Sequence, residues 1–276
     1  MSIADEIFIQ NCKDILSFGF KDDGLPVRTV WEDGEKAYTV KKFGIVNRYD
    51  LSREFPVITL RKTFFKASVD ELLWIWQKKS NRISELSSKI WNSWADENGT
   101  IGKAYGYQLG IKYDFKEGRF DQVDKILFDL KNNPYSRRII ASMYNFSDLK
   151  EMNLYPCAYS LTLNVCGGKL NAILNQRSQD MLVANNWNVC QYAVLTHMFA
   201  QVSGLETGEL IHVIADAHIY DRHVPIVERI LKNPAYPAPK FVIDKNITDF
   251  YAFTKDSFSL EEYRFTELGE KIPVAI

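Results

Sequence analysis

The stretch CAYSLTLNVCGGKLNAILNQRS, Cys157–Ser178, consists of two mostly apolar runs joined by two glycines. In each run, apolar side chains alternate with polar or small ones, which is typical of β-strands with one buried face. Gly167 and Gly168 can supply the positive φ angles that a two-residue hairpin turn requires. The stretch therefore predicts an antiparallel β-hairpin whose far end, NQRS, is unusually polar.

The hairpin determines what surrounds Cys157, which follows a proline at the start of the first strand. The glycine turn pairs Cys166 with Lys169. Extended along both strands, that register places Cys157 opposite Ser178, and a bulge would shift the pairing by one residue. In either register Arg177 lies near the thiol, where a guanidinium lowers the cysteine pKa. Most free cysteines are inert core residues, so the pairing with Arg177 is what favours a reactive role.

Helical and strand patterns alternate along the rest of the chain. An N-terminal helix is expected to end at Gly19, and a later one is expected to begin with a capping box formed by Ser68 and Glu71. Two more helices are predicted in DQVDKILFDLKNNP and NVCQYAVLTHMFAQVSGLE, and further strands in RRIIASMYN, LIHVIADAHIY and KFVID. Because no linker or repeat divides residues 1–276, we predict a single α/β (α+β) domain in which helices cover a large mixed β-sheet.

Composition excludes several classes of function. The net charge of −1 does not favour a polyanion partner such as DNA, so a bound anion would need a local arginine cluster. The four cysteines have no CxxC spacing, which indicates free thiols in a reducing compartment and predicts a cytoplasmic protein. No run of apolar residues is long enough to predict a membrane span.

Two further groups of polar residues are candidates for binding. Arg137 and Arg138 open an apolar strand and must point to opposite faces, which suits either an anion site or a charged sheet edge. In DAHIYDRH, His218 and Tyr220 lie on one strand face and could bind a hydroxylated ligand. The spacing of His218 and His223 matches no common metal site, so we predict no metal.

Taken together, these segments make the chain similar to the folate-dependent, cysteine-nucleophile thymidylate synthase family. The resemblance covers nearly the whole length and depends on YPC, QRSQD, NVCQYAVL, DAHIYDRH, SRRII, ELLWIWQ, IWNSWADENG and the terminal PVAI. It implies a homodimer in which the sheets of two subunits pack face to face. It also implies the methylation of dUMP to dTMP, with methylene-tetrahydrofolate giving both the carbon and a hydride.

The resemblance also implies roles for individual residues. Cys157, assisted by Arg177, would add to C6 of the uracil ring, while Glu71 and Tyr105 would manage protons and Asn188 would read the base edge. Arg137 and Arg138 would reach the phosphate in the partner's site. The full set implied for dUMP is Arg28, Arg137, Arg138, Arg177, Ser178, Gln179, Asp180, Asn188, His218 and Tyr220. The set implied for the folate is Ile90, Trp91, Trp94, Asp180 and Ala275.

The chain also departs from the family pattern. Ala158 replaces the usual histidine after the nucleophile, Phe64 stands where many members have a histidine, and VANNWN and RTVWED replace glycine-rich stretches. Two alternatives therefore stay open. One is a pyrimidine-nucleotide hydroxymethylase, against which Asn188, Trp91 and the PVAI terminus argue. The other is a non-catalytic nucleotide- or RNA-binding protein, which the near-zero charge and Cys157 disfavour.

Overall fold

A computed structural model describes all of residues 1–276. Its helices are α1 (Ile3–Phe18), α2 (Phe65–Trp76), α3 (Gly106–Gly110), α4 (Gln122–Asn132), α5 (Asn185–Val202) and α6 (Val224–Ile230). Its strands are β1 (Phe20–Lys21), β2 (Thr39–Asp50), β3 (Tyr113–Phe115), β4 (Gly118–Phe120), β5 (Ile139–Ser142), β6 (Ala158–Cys166), β7 (Lys169–Gln176), β8 (Gln179–Asp180), β9 (Glu206–Tyr220), β10 (Lys240–Ile243) and β11 (Phe258–Glu261). Short 3₁₀ turns connect several of them.

Seven strands form one sheet in the order β1-β2-β9-β7-β6-β5, with β8 paired to β9. The pairs β7–β9 and β8–β9 are parallel and the others are antiparallel, so the sheet is mixed. The β3–β4 and β10–β11 pairs form separate two-stranded ribbons. The predicted fold class, a large mixed sheet covered by helices, is confirmed.

The hairpin of β6 and β7 forms around the two predicted glycines, which have φ angles of 56° and 78°. The expected register holds as far as Ser160 with Asn175, and a bulge follows. Beyond the bulge the N–H of Arg177 donates to the Cys157 carbonyl at 2.9 Å. Cys157 therefore faces Arg177, and the predicted pairing with Ser178 is wrong by one residue.

One face of the sheet carries the helices. α5 packs on β7 and β9, α2 packs on α5, and α1 packs on β2. α5 is buried nearly all round, as its apolar sequence predicts. α1 begins with a capping box between Ser2 and Asp5 and ends before Gly19, as expected.

Two predicted helix starts are wrong. α2 begins at Phe65, so Ser68 lies inside the helix and its hydroxyl donates to the Phe65 carbonyl instead of capping. The predicted capping box with Glu71 is therefore absent. α5 begins at Asn185, which places Asn188 inside the helix instead of at its first residue. No helix in the structure is long and apolar enough to cross a membrane.

The opposite face of the sheet has no helix on it and carries apolar side chains. Phe43 and Val46 on β2 are 87% and 58% exposed, and Ile140 on β5 is 56% exposed. Val46 and Ile140 alternate with core residues along their strands, so their exposure follows from the pleat. Phe43 is separated from Val46 by Gly44, whose φ of 77° interrupts the alternation. The face is a candidate for covering by another chain.

Candidate active site

Arg177 is held beside the Cys157 thiol by two backbone carbonyls. Its Nε donates to Pro156 at 3.1 Å and its Nη2 to Tyr155 at 2.7 Å. Nη2 also lies 3.7 Å from the Cys157 sulfur. The bulge in the hairpin and these carbonyls therefore fix a cation next to a half-buried thiol, as the sequence predicted.

The net pKa shift of Cys157 is upward, which differs from the expectation. Burial raises the pKa of the Cys157 thiol, while the charge of Arg177, a hydrogen bond with Tyr105 and the charge of Arg28 lower it. The predicted effect of Arg177 is present, but burial outweighs it. The thiol is therefore a neutral group surrounded by features that stabilise a thiolate once a reaction demands one.

The other cysteines lack such surroundings. Cys12 and Cys190 are fully buried in the core, and burial raises the pKa of both thiols strongly. Cys166 is exposed beside the hairpin turn, where its thiol contacts Asn164. Only Cys157 combines partial access with nearby cationic groups.

Tyr105 lies directly against the nucleophile candidate. Its hydroxyl accepts a hydrogen bond from the N–H of Cys157 at 3.0 Å, and its ring packs against Trp91. Its φ of 47° is a left-handed conformation that costs a non-glycine residue about 1–3 kcal/mol. Burial and the neighbouring Cys157 raise the Tyr105 pKa far above its ordinary value, although the Cys157 N–H opposes this. The phenol therefore stays protonated at neutral pH.

Glu71 is buried in the middle of α2 and is surrounded by donors. Trp91 Nε1 donates to one carboxylate oxygen at 2.9 Å. Trp187 Nε1 and Gln191 Nε2 donate to the other at 3.2 and 2.9 Å. Burial raises the Glu71 pKa, while the hydrogen bonds from Gln191, Trp91 and Trp187 lower it, and the net shift is upward. Such a carboxyl group keeps its proton to higher pH than an exposed one, which suits it to exchange a proton with a substrate.

The Asn188 side-chain amide makes two hydrogen bonds within the protein. Its Oδ1 accepts from Gln176 Nε2 at 3.1 Å, and its Nδ2 donates to Gln191 Oε1 at 3.1 Å. One lone pair and one N–H remain for a ligand. Because Gln191 also binds Glu71, the structure joins Asn188 and Glu71 through a single intervening side chain.

Arg28 is exposed and forms no ion pair, yet its charge acts on both Cys157 and Tyr220. This places an uncompensated cation near the thiol, as expected for an anion site. Arg137 and Arg138 are also exposed without ion pairs, but they precede β5 and have no contact with Cys157 of their own chain. The structure thus brings Arg28 and Arg177 together but not the other two.

The strand face around His218 forms as predicted. His218 Nδ1 lies 2.7 Å from Asp216 Oδ1, and its ring is 5.0 Å from that of Tyr220. β8 brings Asp180 directly opposite His218 on β9. Ser178 is half-buried between Arg177 and the buried Gln179, whose side-chain oxygen has no hydrogen-bond partner.

The C-terminus is tied to the site at two points. His223 Nε2 contacts the Pro273 carbonyl at 2.8 Å, and its Nδ1 lies 3.7 Å from Asp180 Oδ1. Ile276 pairs with Val30 through two backbone hydrogen bonds, each 2.9 Å long. Ala275 lies between these two points. Val30 is two residues after Arg28 in sequence, so the chain end returns to the loop that carries the free cation.

Sequence reasoning missed three residues that build the site. Trp187 and Gln191 are four residues apart on α5 and could have been recognised as one helix face. Trp31 in RTVWED is buried, donates to Asp221 Oδ1 at 3.0 Å and packs its ring against Tyr220 and His223. This tryptophan anchors the Arg28 loop where the family has glycines, and no periodic pattern signalled it.

Comparison with known proteins identifies the family. The thymidylate synthase family model matches residues 6–276. The chain belongs to the thymidylate synthase family. Thymidylate synthase of Bacillus phage phi3T is 43% identical over 99% of this chain and 98% of its own. That of Clostridium beijerinckii is 40% identical over 97% of each chain. The solved structure of the thermostable thymidylate synthase A from Bacillus subtilis has a TM-score of 0.93, is 40% identical and covers 99% of both chains.

Membership in the thymidylate synthase family confirms the predicted family, fold class and enzyme class. The folate side can be tested against the residues present. Trp91 and Trp94 pack edge to face with their ring centroids 5.7 Å apart, and Ile90 is 44% exposed beside them. An apolar, aromatic surface next to Tyr105 fits a flat ring system such as that of methylene-tetrahydrofolate. No cluster of His, Cys, Asp and Glu is arranged to hold a metal ion.

Proposed function

We propose that Cys157, Tyr105, Glu71 and Asn188 form the active site with which this thymidylate synthase methylates dUMP to dTMP. The observation that carries the proposal is the chain of contacts around the thiol. Cys157 touches Arg177 and Tyr105, and Tyr105 packs on Trp91, which binds Glu71. Direct contacts therefore link the nucleophile, the protonated phenol and the buried carboxyl group.

Cys157 would attack C6 of the uracil ring, which makes C5 nucleophilic. The attack requires a thiolate. The neutral thiol would give its proton to a water molecule, and Arg177 and Arg28 favour the anion that remains. Arg177 cannot swing away without losing its bonds to two backbone carbonyls. It would therefore serve both the thiolate and an anionic group of the substrate.

Glu71 and Tyr105 would handle protons at the base. The raised pKa of Glu71 keeps a proton available near the pyrimidine O4. Tyr105 stays protonated, and its oxygen already accepts from the Cys157 N–H. Once the sulfur has bonded to C6, the Tyr105 O–H can orient a water that removes the C5 proton. Bound methylene-tetrahydrofolate supplies the one-carbon unit and the hydride.

Asn188 would read the uracil edge. Its free N–H matches the O4 acceptor and its free lone pair matches the N3–H donor. His218 and Tyr220 would hold the deoxyribose hydroxyl, and Arg28, Arg177, Ser178, Gln179 and Asp180 would line the nucleotide. Ile90, Trp91, Trp94, Asp180 and Ala275 would line the folate.

We propose further that the active unit is a homodimer with shared sites. The uncovered apolar sheet face, with Phe43, Val46 and Ile140, supports face-to-face packing of two copies. Arg137 and Arg138 are exposed and form no ion pair in their own chain, which supports their reaching the phosphate in the partner's site. A single domain and a cytoplasmic location without DNA or membrane partners stay predictions.

The dimer is tested by subunit mixing. Arg138→Ala and Cys157→Ser chains are each expected to be inactive. After exchange, mixed dimers should regain activity because one of their two sites is intact. A matched control is Arg119→Ala, which removes an exposed arginine of the β3–β4 ribbon and should remain active alone. No recovery after proven exchange would place the Arg138 contribution within its own subunit.

Base reading is tested with Asn188→Asp. The variant should weaken dUMP use and improve binding of dCMP, whose N4 amine and N3 acceptor suit a carboxyl group that shares a proton. A mismatched buried pair costs about 1–3 kcal/mol, so selectivity should change roughly ten- to a hundredfold. The aspartate would also face Gln191 Oε1, so some loss of thermal stability is expected. An unchanged dUMP preference would remove Asn188 as the base reader.

The hydroxymethylase alternative is not favoured, because the matching family model and the relatives matched over nearly the whole chain are thymidylate synthases. The non-catalytic alternative is not favoured either. The chain matches relatives that are named thymidylate synthases over nearly the whole length of both proteins.

A further inference from the structure

Asn188 belongs to a buried hydrogen-bonded chain that extends beyond it in both directions. On one side Gln191 connects it to Glu71. On the other side Gln176 Nε2 donates to Asn188, and Gln176 Oε1 lies 2.7 Å from His212 Nε2. His212 is fully buried in β9, and Gln176 and Gln191 are 2% and 3% exposed. Of the three amides, only Asn188 is partly exposed.

The direction of every hydrogen bond in this chain follows from its ends. Gln191 Nε2 donates to the Ser68 carbonyl at 3.1 Å as well as to Glu71, and a carbonyl can only accept. Gln191 must therefore turn its oxygen to Asn188, so Asn188 presents its NH₂ there and its oxygen to Gln176. Gln176 in turn presents its oxygen to His212, which must carry a proton on Nε2.

The orientation of the Asn188 amide matters because an asparagine can match either pyrimidine. In the observed orientation its N–H lies on the Glu71 side and its lone pair on the Gln176 side, which matches O4 and N3–H of uracil. Turned over, the same amide would offer an acceptor and a donor in the opposite order. That order matches the N4 amine and the N3 lone pair of cytosine.

We propose that Gln176 and His212 are positioning residues for base choice, acting through the orientation that their hydrogen bonds impose on the Asn188 amide. The proposal rests on the proposed function, in which Asn188 reads the base. His212 Nε2–H holds the oxygen of Gln176, so only the NH₂ of Gln176 is left to face Asn188. Burial lowers the His212 pKa to about 3, so the ring stays neutral, and its Nδ1 has no partner.

The decisive variant is Gln176→Glu. A carboxylate at this position accepts from His212 and can only accept from Asn188, which favours turning the Asn188 NH₂ toward it at the cost of its bond to Gln191 Oε1. The measurement is the ratio of dCMP to dUMP dissociation constants, determined by calorimetry on the purified full-length protein. Relative to the wild type, this ratio should fall about tenfold or more, since the mismatch leaves a buried hydrogen-bonding group unsatisfied. His212→Leu removes the donor without supplying an acceptor and should lower the ratio roughly threefold or more.

A matched control is Gln201→Glu near the other end of α5. Gln201 is partly buried and donates to the carbonyls of Asp244 and Ile247, so its replacement should weaken the fold to a similar degree. Gln201 does not belong to the hydrogen-bonded series that joins Glu71 to His212. The control should keep the wild-type ratio. If Gln176→Glu does not fold, His212→Leu decides the question. A folded variant of either that keeps the wild-type ratio overturns the proposal, whereas a wild type that binds no dUMP overturns the proposed function itself.

Discussion

The backbone N–H of Cys157 donates to the phenol oxygen of Tyr105 over 3.0 Å. The nucleophile candidate and the proton-handling candidate are thus joined through the main chain, and a hydrogen bond with the phenol also lowers the thiol pKa. Tyr105 keeps this position despite a left-handed backbone angle of 47°. A strained residue in contact with a reactive group is typical of a functional site.

Tyr105→Phe should lower turnover about a hundredfold or more, because it removes the hydroxyl that orients the proton acceptor. The ring contact with Trp91 is retained, so dUMP binding should change little, whereas the unpaired Cys157 N–H should lower thermal stability somewhat. Steady-state kinetics together with a dUMP binding isotherm check this. Tyr107→Phe, a change to a half-exposed neighbouring tyrosine, is the control. Loss of dUMP binding equal to the loss of turnover would indicate a purely structural role.

Glu71→Gln should lower turnover about a hundredfold or more, since the amide cannot exchange a proton. It should also change the pH dependence of stability. Burial raises the folded-state pKa of Glu71, so its contribution to the free energy of unfolding is greatest below the unfolded-state pKa and is lost as pH rises through the folded-state pKa. Glu71→Gln has no ionisable group at this position, so its free energy of unfolding does not fall in this way. Denaturant unfolding from pH 4 to 8 should show the wild type losing stability relative to Glu71→Gln as pH rises, and a constant difference would contradict the assignment.

His223 should make the attachment of the C-terminus depend on pH. Burial lowers its pKa, but the nearby Asp180 carboxylate and the Pro273 carbonyl raise it, and the net shift is upward. Its stabilising contribution is therefore complete below the ordinary value near 6.5 and is lost as pH rises through the folded-state pKa. Amide hydrogen exchange of the last residues should accelerate over that range beyond the intrinsic pH effect. His223→Gln should abolish the additional acceleration, and its persistence would exclude His223 as the cause.

Deletion of Ile276 should reduce turnover far more than dUMP binding. The deletion removes both backbone hydrogen bonds to Val30 and so releases the chain end from the Arg28 loop. Ile276→Val keeps those bonds and serves as the control. Turnover and dUMP affinity are measured for both variants. Unchanged turnover after deletion would argue against a closing role for the C-terminus.

Local patterns predicted the hairpin, α1, α4 and most of the sheet, because glycine turns, caps and alternation act within a few residues. The strand β2 was missed. Its sequence TVKKFGIVNRYD has lysines and a glycine, and its partner β9 lies more than a hundred residues away in sequence, so only tertiary pairing makes it a strand.

The errors at the site have similar causes. Ser68 resembles a helix cap by sequence, but α2 extends one turn further toward the N-terminus, and the Glu71 side chain points to two tryptophans and a glutamine instead of the helix end. The bulge that pairs Cys157 with Arg177 is a one-residue shift that alternation cannot locate. The chemistry could be recognised from short motifs, whereas the partners that orient each group come from distant segments.

The central claim is that Cys157 initiates methylation of dUMP, and one assay tests it most directly. Wild-type protein is incubated with dUMP and methylene-tetrahydrofolate, dihydrofolate is followed by absorbance, and the nucleotide product is identified by mass. Cys157→Ser and the exposed-site control Cys166→Ser are assayed in parallel. We predict equal amounts of dTMP and dihydrofolate from the wild type and the control, and a loss of about a thousandfold or more in Cys157→Ser. Substantial dTMP formation by Cys157→Ser, or a hydroxymethylated product without dihydrofolate from the wild type, would contradict the account.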